Sequence, residues 1–408
     1  MKKSSKRNDV LTNNYSMISG RLIYKFNREI VDHNLFKTLV DEGKYAPVLR
    51  LTLDNNLYWV KRIRYVEDEL VLTKDISVYK HYIDLIKMNP NLDCVLWPTD
   101  IVALSDDVLD LSGKAQTVAR HYNVRDEANK VDVSIVGLLF RYKPEYETFK
   151  FTAQDIVDFY TSEDAMLTAD PTRKLNYTNP IIRKLAVEFV KIMEAVQDAG
   201  LIYYDLSLKR FSITANSLGM FLDFSNLVYP VNKRQDITYI EEDNEIDFDY
   251  VDPFYYKNMQ TEKFADMQSF NVSIASLLFY LFYGRKAYEG GSESVEDTSP
   301  LTHRRLTIER LKNPYFVFDS CGDDKNPNKL GFVSSQEKEV EFFKKSDSML
   351  RDAFIKTLSY ENVMRINKSS ANESEKHYLT PKDWLNIFDE LGWIEESKQT
   401  RLIIPGRT

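Results

Sequence analysis

The chain has 408 residues, 43% of them hydrophobic and 13% aromatic, with 13 Gly, 13 Pro and a formal net charge of -8. This composition fills one large two-lobed domain or two ordinary ones and excludes a disordered or low-complexity chain. The acidic balance argues against general nucleic-acid binding, which draws on a basic surplus. Two distant cysteines, Cys94 and Cys321, make neither a disulfide framework nor a zinc set.

In chain order, residues 1–35 read as a polar N-terminal extension with no apolar stretch of the signal-peptide kind. The alternation across 45–63, "YAPVLRLTLDNNLYWVKRI", predicts a hairpin turning at Asp54-Asn55-Asn56. Tyr79, Ile83 and Ile86 share one face of a helix expected over about 75–88. Strand-like pieces follow at 94–104 and 132–142.

Beyond 150 the pattern is helical. Asn179 as cap, Pro180 in the first turn and Gly200 at the end predict a long helix over 178–200. Two short strands are expected at Phe211–Ile213 and Gly219–Leu222, then an irregular acidic stretch at 236–252 and helices at 264–283, 346–358 and 381–391. The apolar run Val272–Tyr283 has about half of the ~20 residues of a membrane span, so it predicts a buried helix. "GGSESVEDTSP" at 290–300 reads as an exposed loop, and the charged stretch 321–346 as a surface insertion. The composition as a whole, with free thiols and no span, suggests a cytoplasmic protein with no membrane contact.

The most informative stretch is 200–226, where a long helix ends in glycine, a loop presents Asp205, and a short hairpin leads to Asp223 in "LDFS". Such a segment can bring two carboxylates near one another, or simply carry surface Asp at its turns. Order and spacing here resemble the protein kinase superfamily, whose H-R-D and D-F-G motifs flank such a hairpin. Upstream, "LYWVKRI" (57–63) resembles the V-A-I-K strand and "VGLLFRYKPEY" (136–146) the strand leading into the hinge. Downstream, "DYVDPFYY" (249–256) resembles the A-P-E segment, and 264–290, with Asp266, the central helix of the large lobe. The segments 313–319, 350–358 and 378–384 are similar to the closing helices of some bacterial eukaryotic-like kinases.

The resemblance spans roughly residues 40–395. It implies an α+β fold of two lobes, a small antiparallel-sheet N-lobe over 36–142 and a mainly helical C-lobe over 143–397, followed by a tail at 398–408. It implies ATP and Mg2+ as cofactors. Asp205 would be the catalytic residue and Asp223 the metal ligand. Lys61, Gly43, Leu139 and Arg210 would lie at the nucleotide.

Several motif positions depart from the family pattern. In the phosphate-covering stretch 42–51 only Gly43 remains, and Pro47 lacks an N–H. The helix slot that normally offers a Glu to the lysine holds Lys80 or Tyr79, leaving Asp75, Glu67 and Glu69 as candidate anionic partners. Tyr203-Tyr204 replace His-Arg, and Arg210 takes the Asn position five residues after Asp205. A guanidinium has no acceptor for a cation. It could pair with Asp223 and silence the metal site, or contact phosphate in the metal's place. Ser225 replaces the last Gly of D-F-G, while Phe254 and Tyr378 stand where the family has a Glu–Arg pair.

These departures favour a nucleotide-binding pseudokinase or very weak Ser/Thr kinase acting as a regulatory module. The alternatives are an active Mg-ATP-dependent protein kinase and, further off, a small-molecule phosphotransferase. The expected partner is a protein, and the acidic run 239–252 would suit one with a basic patch.

Overall fold

The computed structural model describes residues 39–41, 48–53, 56–62, 65–66, 69–70, 95–105, 133–141, 151–162, 173–203, 206–213, 217–221, 227–228, 267–289, 310–311, 314–319, 334–366 and 378–402, with a few single residues between them. The described part mixes helix and strand and is mostly helical. Its chain divides into two compact units, Met1–Lys150 with Gly219–Phe224, and Phe151–Leu218 with Ser225–Thr408.

The first unit is built on a five-stranded antiparallel sheet. Strands β1 (Leu39–Asp41), β2 (Val48–Leu53) and β3 (Asn56–Arg62) are followed by the short pair β4 (Tyr65–Val66) and β5 (Glu69–Leu70). Next come β6 (Val95–Leu96), β7 (Pro98–Ser105) and β8 (Val133–Arg141). The sheet order is β1-β2-β3-β8-β7. The predicted hairpin is present, with Leu53 facing Asn56 across the turn, so Asn56 opens β3 instead of closing the turn. The helix expected over 75–88 lies outside the described residues.

The second unit holds the helices. Helix α1 (Ala153–Thr161) starts in a capping box, in which the Asp155 carboxylate accepts from the Thr152 N–H and hydroxyl at 2.7 and 2.9 Å. Helix α2 (Pro180–Asp198) runs into β9 (Ile202–Tyr203), then β10 (Phe211–Ile213). Residues 219–221 of β11 (Leu218–Phe221) belong to the first unit and pair there in parallel with β6, while in the second unit β12 (Leu227–Val228) pairs antiparallel with β9. The remaining helices are α3 (Met267–Tyr283), α4 (Ser334–Lys345), α5 (Ser348–Leu358), α6 (Tyr360–Ile366), α7 (Pro381–Glu390) and α8 (Trp393–Gln399).

Helix α3 is apolar on all sides because it is buried on all sides. Val272, Ile274, Leu277, Leu278, Phe279 and Leu281 are fully enclosed. Phe279 contacts the rings of Tyr283, Phe316, Phe318, Phe343 and Phe354, mostly edge to face, the preferred arrangement of aromatic quadrupoles. Phe282 extends this cluster to Phe388 and Trp393 of the C-terminal helices. Among the described residues no helix is long and apolar enough to cross a membrane.

The stretch expected as a surface insertion carries a helix. The charged stretch 321–346 contains α4, and Phe343 of that helix is 4% exposed. Lysines and glutamates make up half of α4, and among its described residues Phe343 is the buried one.

Candidate functional site

The loop after α2 is aimed by the way the helix ends. Gly200 adopts φ +75°, a left-handed conformation that a Cβ disfavours. Its N–H donates to Gln197 O at 2.8 Å, and the Leu201 N–H donates to Val196 O at 3.1 Å. This pair of bonds is the Schellman motif, which satisfies the last helical carbonyls and turns the chain off the axis. The chain then enters β9 with Leu201, Ile202 and Tyr203 all buried. Beyond the loop, Leu206 and Leu208 are buried again, and Phe211 packs edge to face on Phe189 of α2 at 5.2 Å. The described residues on either side of Asp205 are therefore held by buried apolar side chains.

Further on, the Ile213 N–H donates to Phe151 O at 2.8 Å, and Ser212 bridges Thr152, which ties β10 to the start of α1. The β9–β12 ladder sets Tyr203 opposite Leu227 and Ile202 opposite Val228. The chain entering the Asp205 loop thus runs beside the chain that leaves the Asp223 segment.

Of the six candidate residues, Lys61 lies in β3, facing Val48 on β2 and Leu138 on β8. Leu139 is the register partner of Val60 and Asp100. The residue of β8 level with Lys61 is therefore Leu138, one position before the leucine singled out from the sequence. Arg210 closes a short 3-10 turn, Leu208–Arg210, is half-buried, and donates its backbone N–H to Ser207 O at 3.0 Å. Gly43, Asp205 and Asp223 lie outside the described residues, as do Asp266, Phe254, Asp75, Glu67 and the acidic run 239–252. Glu69 is in β5, and Tyr378 is 5% exposed.

The Arg210 side chain carries only hydrogen-bond donors, so it offers no oxygen ligand to a cation. Among the described residues no group of three His, Cys, Asp or Glu side chains could hold a metal ion.

Sequence reasoning missed two features. One is a clamp at the start of α2. Arg183 grips Glu396 of α8 with two bonds, at 2.9 and 3.2 Å, and lies over the Trp393 ring at 5.2 Å. Beside it, the buried Lys184 donates to Ser397 O at 2.7 Å. Burial holds the Lys184 ammonium below its ordinary pKa, opposed by nearby Glu188. The other is a cavity at the end of α3. No family model matches the chain, and no curated protein matches it.

Proposed function

We propose that this chain follows the protein kinase plan and works as a nucleotide-binding regulatory module whose phosphotransfer is lost or very slow. The observation that carries this reading is the small antiparallel sheet in which Lys61 sits on β3, level with β8. In that family the phosphate-contacting lysine belongs to the third strand. The β9–β12 pair supports it, since it joins the segments on either side of the Asp205 loop and the Asp223 hairpin.

Bound ATP with its cation would supply the transferable phosphoryl group and the charge that holds it. Lys61 would contact the phosphates, Asp205 would orient an acceptor hydroxyl, and Asp223 would hold the cation. Against turnover stand Arg210 and the single Gly43. Losing one group that stabilises the transition-state charge slows a reaction about 10²–10³-fold, and such losses need not add.

Thermal shift with ATP tests the reading. ATP should raise the melting temperature of the wild type with little dependence on Mg2+ or Mn2+. Lys61→Met should abolish the rise, and Arg210→Asn should make it metal-dependent. A large metal-dependent rise in the wild type would favour the active kinase instead. Absence of any nucleotide effect would remove the proposal.

A further inference from the structure

The cavity at the end of α3 has a volume of about 320 Å3 and shares no residue with the nucleotide reading. Tyr283, Phe318 and Phe342 form its aromatic walls. Tyr283 stands at 71° to Phe318 and 74° to Phe342, with centroids 6.3 and 6.0 Å apart. Three rings so arranged form a corner in which a flat guest can stack on one wall and present its edge to another. Second rings back the walls: Phe343 stacks on Phe318 at 4.1 Å, and Tyr177 lies 4.9 Å from Phe342. The Tyr283 hydroxyl is bonded to Ser346 at 3.1 Å, so the residue has its polar end occupied.

The rim is cationic. The Arg285 guanidinium is bound by the Glu339 carboxylate through two bonds, at 2.7 and 3.1 Å, which cancels that charge. Lys174 and Lys338 also line the cavity, and among the described residues neither ammonium has a carboxylate within ion-pair distance. The volume lies at the low end of the roughly 300–1,000 Å3 of small-molecule sites, too small for a docked helix.

We propose that this cavity binds a small aromatic carboxylate, its ring system among Tyr283, Phe318 and Phe342 and its anionic group on Lys174 and Lys338. Size and aromatic walls select the body of the ligand, and the two ammonium groups, unpaired with any carboxylate among the described residues, select its charge. The site stands or falls independently of the phosphotransfer reading.

Calorimetric titration of the full chain with 2-naphthoate, and with 2-naphthalenemethanol as its neutral counterpart, tests the assignment. The acid should bind saturably and more tightly than the alcohol. Replacing both lysines, Lys174→Gln with Lys338→Gln, should weaken the acid roughly three- to tenfold and leave the alcohol unchanged. Both lysines lie outside the core, so this variant should fold. Glu339→Gln frees Arg285 and should shift the acid the other way, toward tighter binding. No saturable heat at millimolar naphthoate, equal affinity for acid and alcohol, or a double variant that binds like its parent would each overturn the proposal.

Discussion

Helix α2 is fastened by side chains at one end and by backbone at the other. At its start, Asn179 Oδ1 accepts from the Ile181 N–H at 2.9 Å, while Arg183 and Lys184 hold α8. Arg183 also donates to the Tyr177 carbonyl at 2.6 Å, so one guanidinium joins the entering loop, the helix and the C-terminal helix. At its end, the left-handed Gly200 and two backbone bonds turn the chain toward the Asp205 loop. The first arrangement distributes stability over several replaceable contacts. The second depends on a single conformation, so the loop's direction is sensitive to one residue and indifferent to most others.

The contrast can be broken from either side. The largest effect should come from Arg183→Ala, which removes a bidentate charged pair, a carbonyl contact and a ring contact, and should cost about 2–3 kcal/mol in urea unfolding. Hydrogen exchange in that variant should quicken at the α8 amides and stay unchanged at Leu201 and Ile202. A uniform change would mean that the two ends act as one unit. Gly200→Ala should cost about 1–2 kcal/mol through the left-handed backbone alone, since a Cβ there meets nothing within 4 Å. Here exchange should quicken at Leu201 and Ile202 and spare α8, and Gly200→Asn should cost less than Ala. Asn179→Ala removes the cap and should cost about 1 kcal/mol, again confined to the start of the helix.

The smallest effect is one of pH. The folded pKa of Lys184 lies below its unfolded value of 10.5, chiefly through burial. Between those values the unfolded chain binds more protons, so this residue makes stability rise with pH. Tyr160, Tyr177 and Tyr283 have the opposite sign. Burial is the main cause that raises each above the unfolded 10.0, so their contribution holds below pH 10 and falls away as pH rises beyond it. The melting temperature should therefore fall above pH 10, and more steeply in Lys184→Met than in the wild type. Parallel melting curves for the two proteins would show that Lys184 is not desolvated.

What was legible in the sequence was local. Helix α2 could be drawn from Asn179, Pro180 and Gly200 because capping, a tolerated first-turn proline and a left-handed glycine act on immediate neighbours. The β2–β3 hairpin followed from alternation, and α3 from an unbroken apolar run. Helix α4 was hidden because its few core contacts are set among lysines and glutamates. Within the candidate site, the strand that carries Lys61 was readable, and its register against Leu138 of β8 was not, since cross-strand pairing is not a local property.

The sequence by itself determined which of the strongly patterned segments become strand or helix. Periodicity, caps and motif spacing all act within a few residues of the chain. Tertiary structure alone decided that Arg183 meets Glu396 and Lys184 meets Ser397 across 213 positions each. It also decided that Tyr283, Phe318 and Phe342 make one aromatic corner beneath two lysines. Contacts of that separation depend on which faces of folded elements come together, and the packing of whole side chains sets them, not any pattern in neighbouring residues.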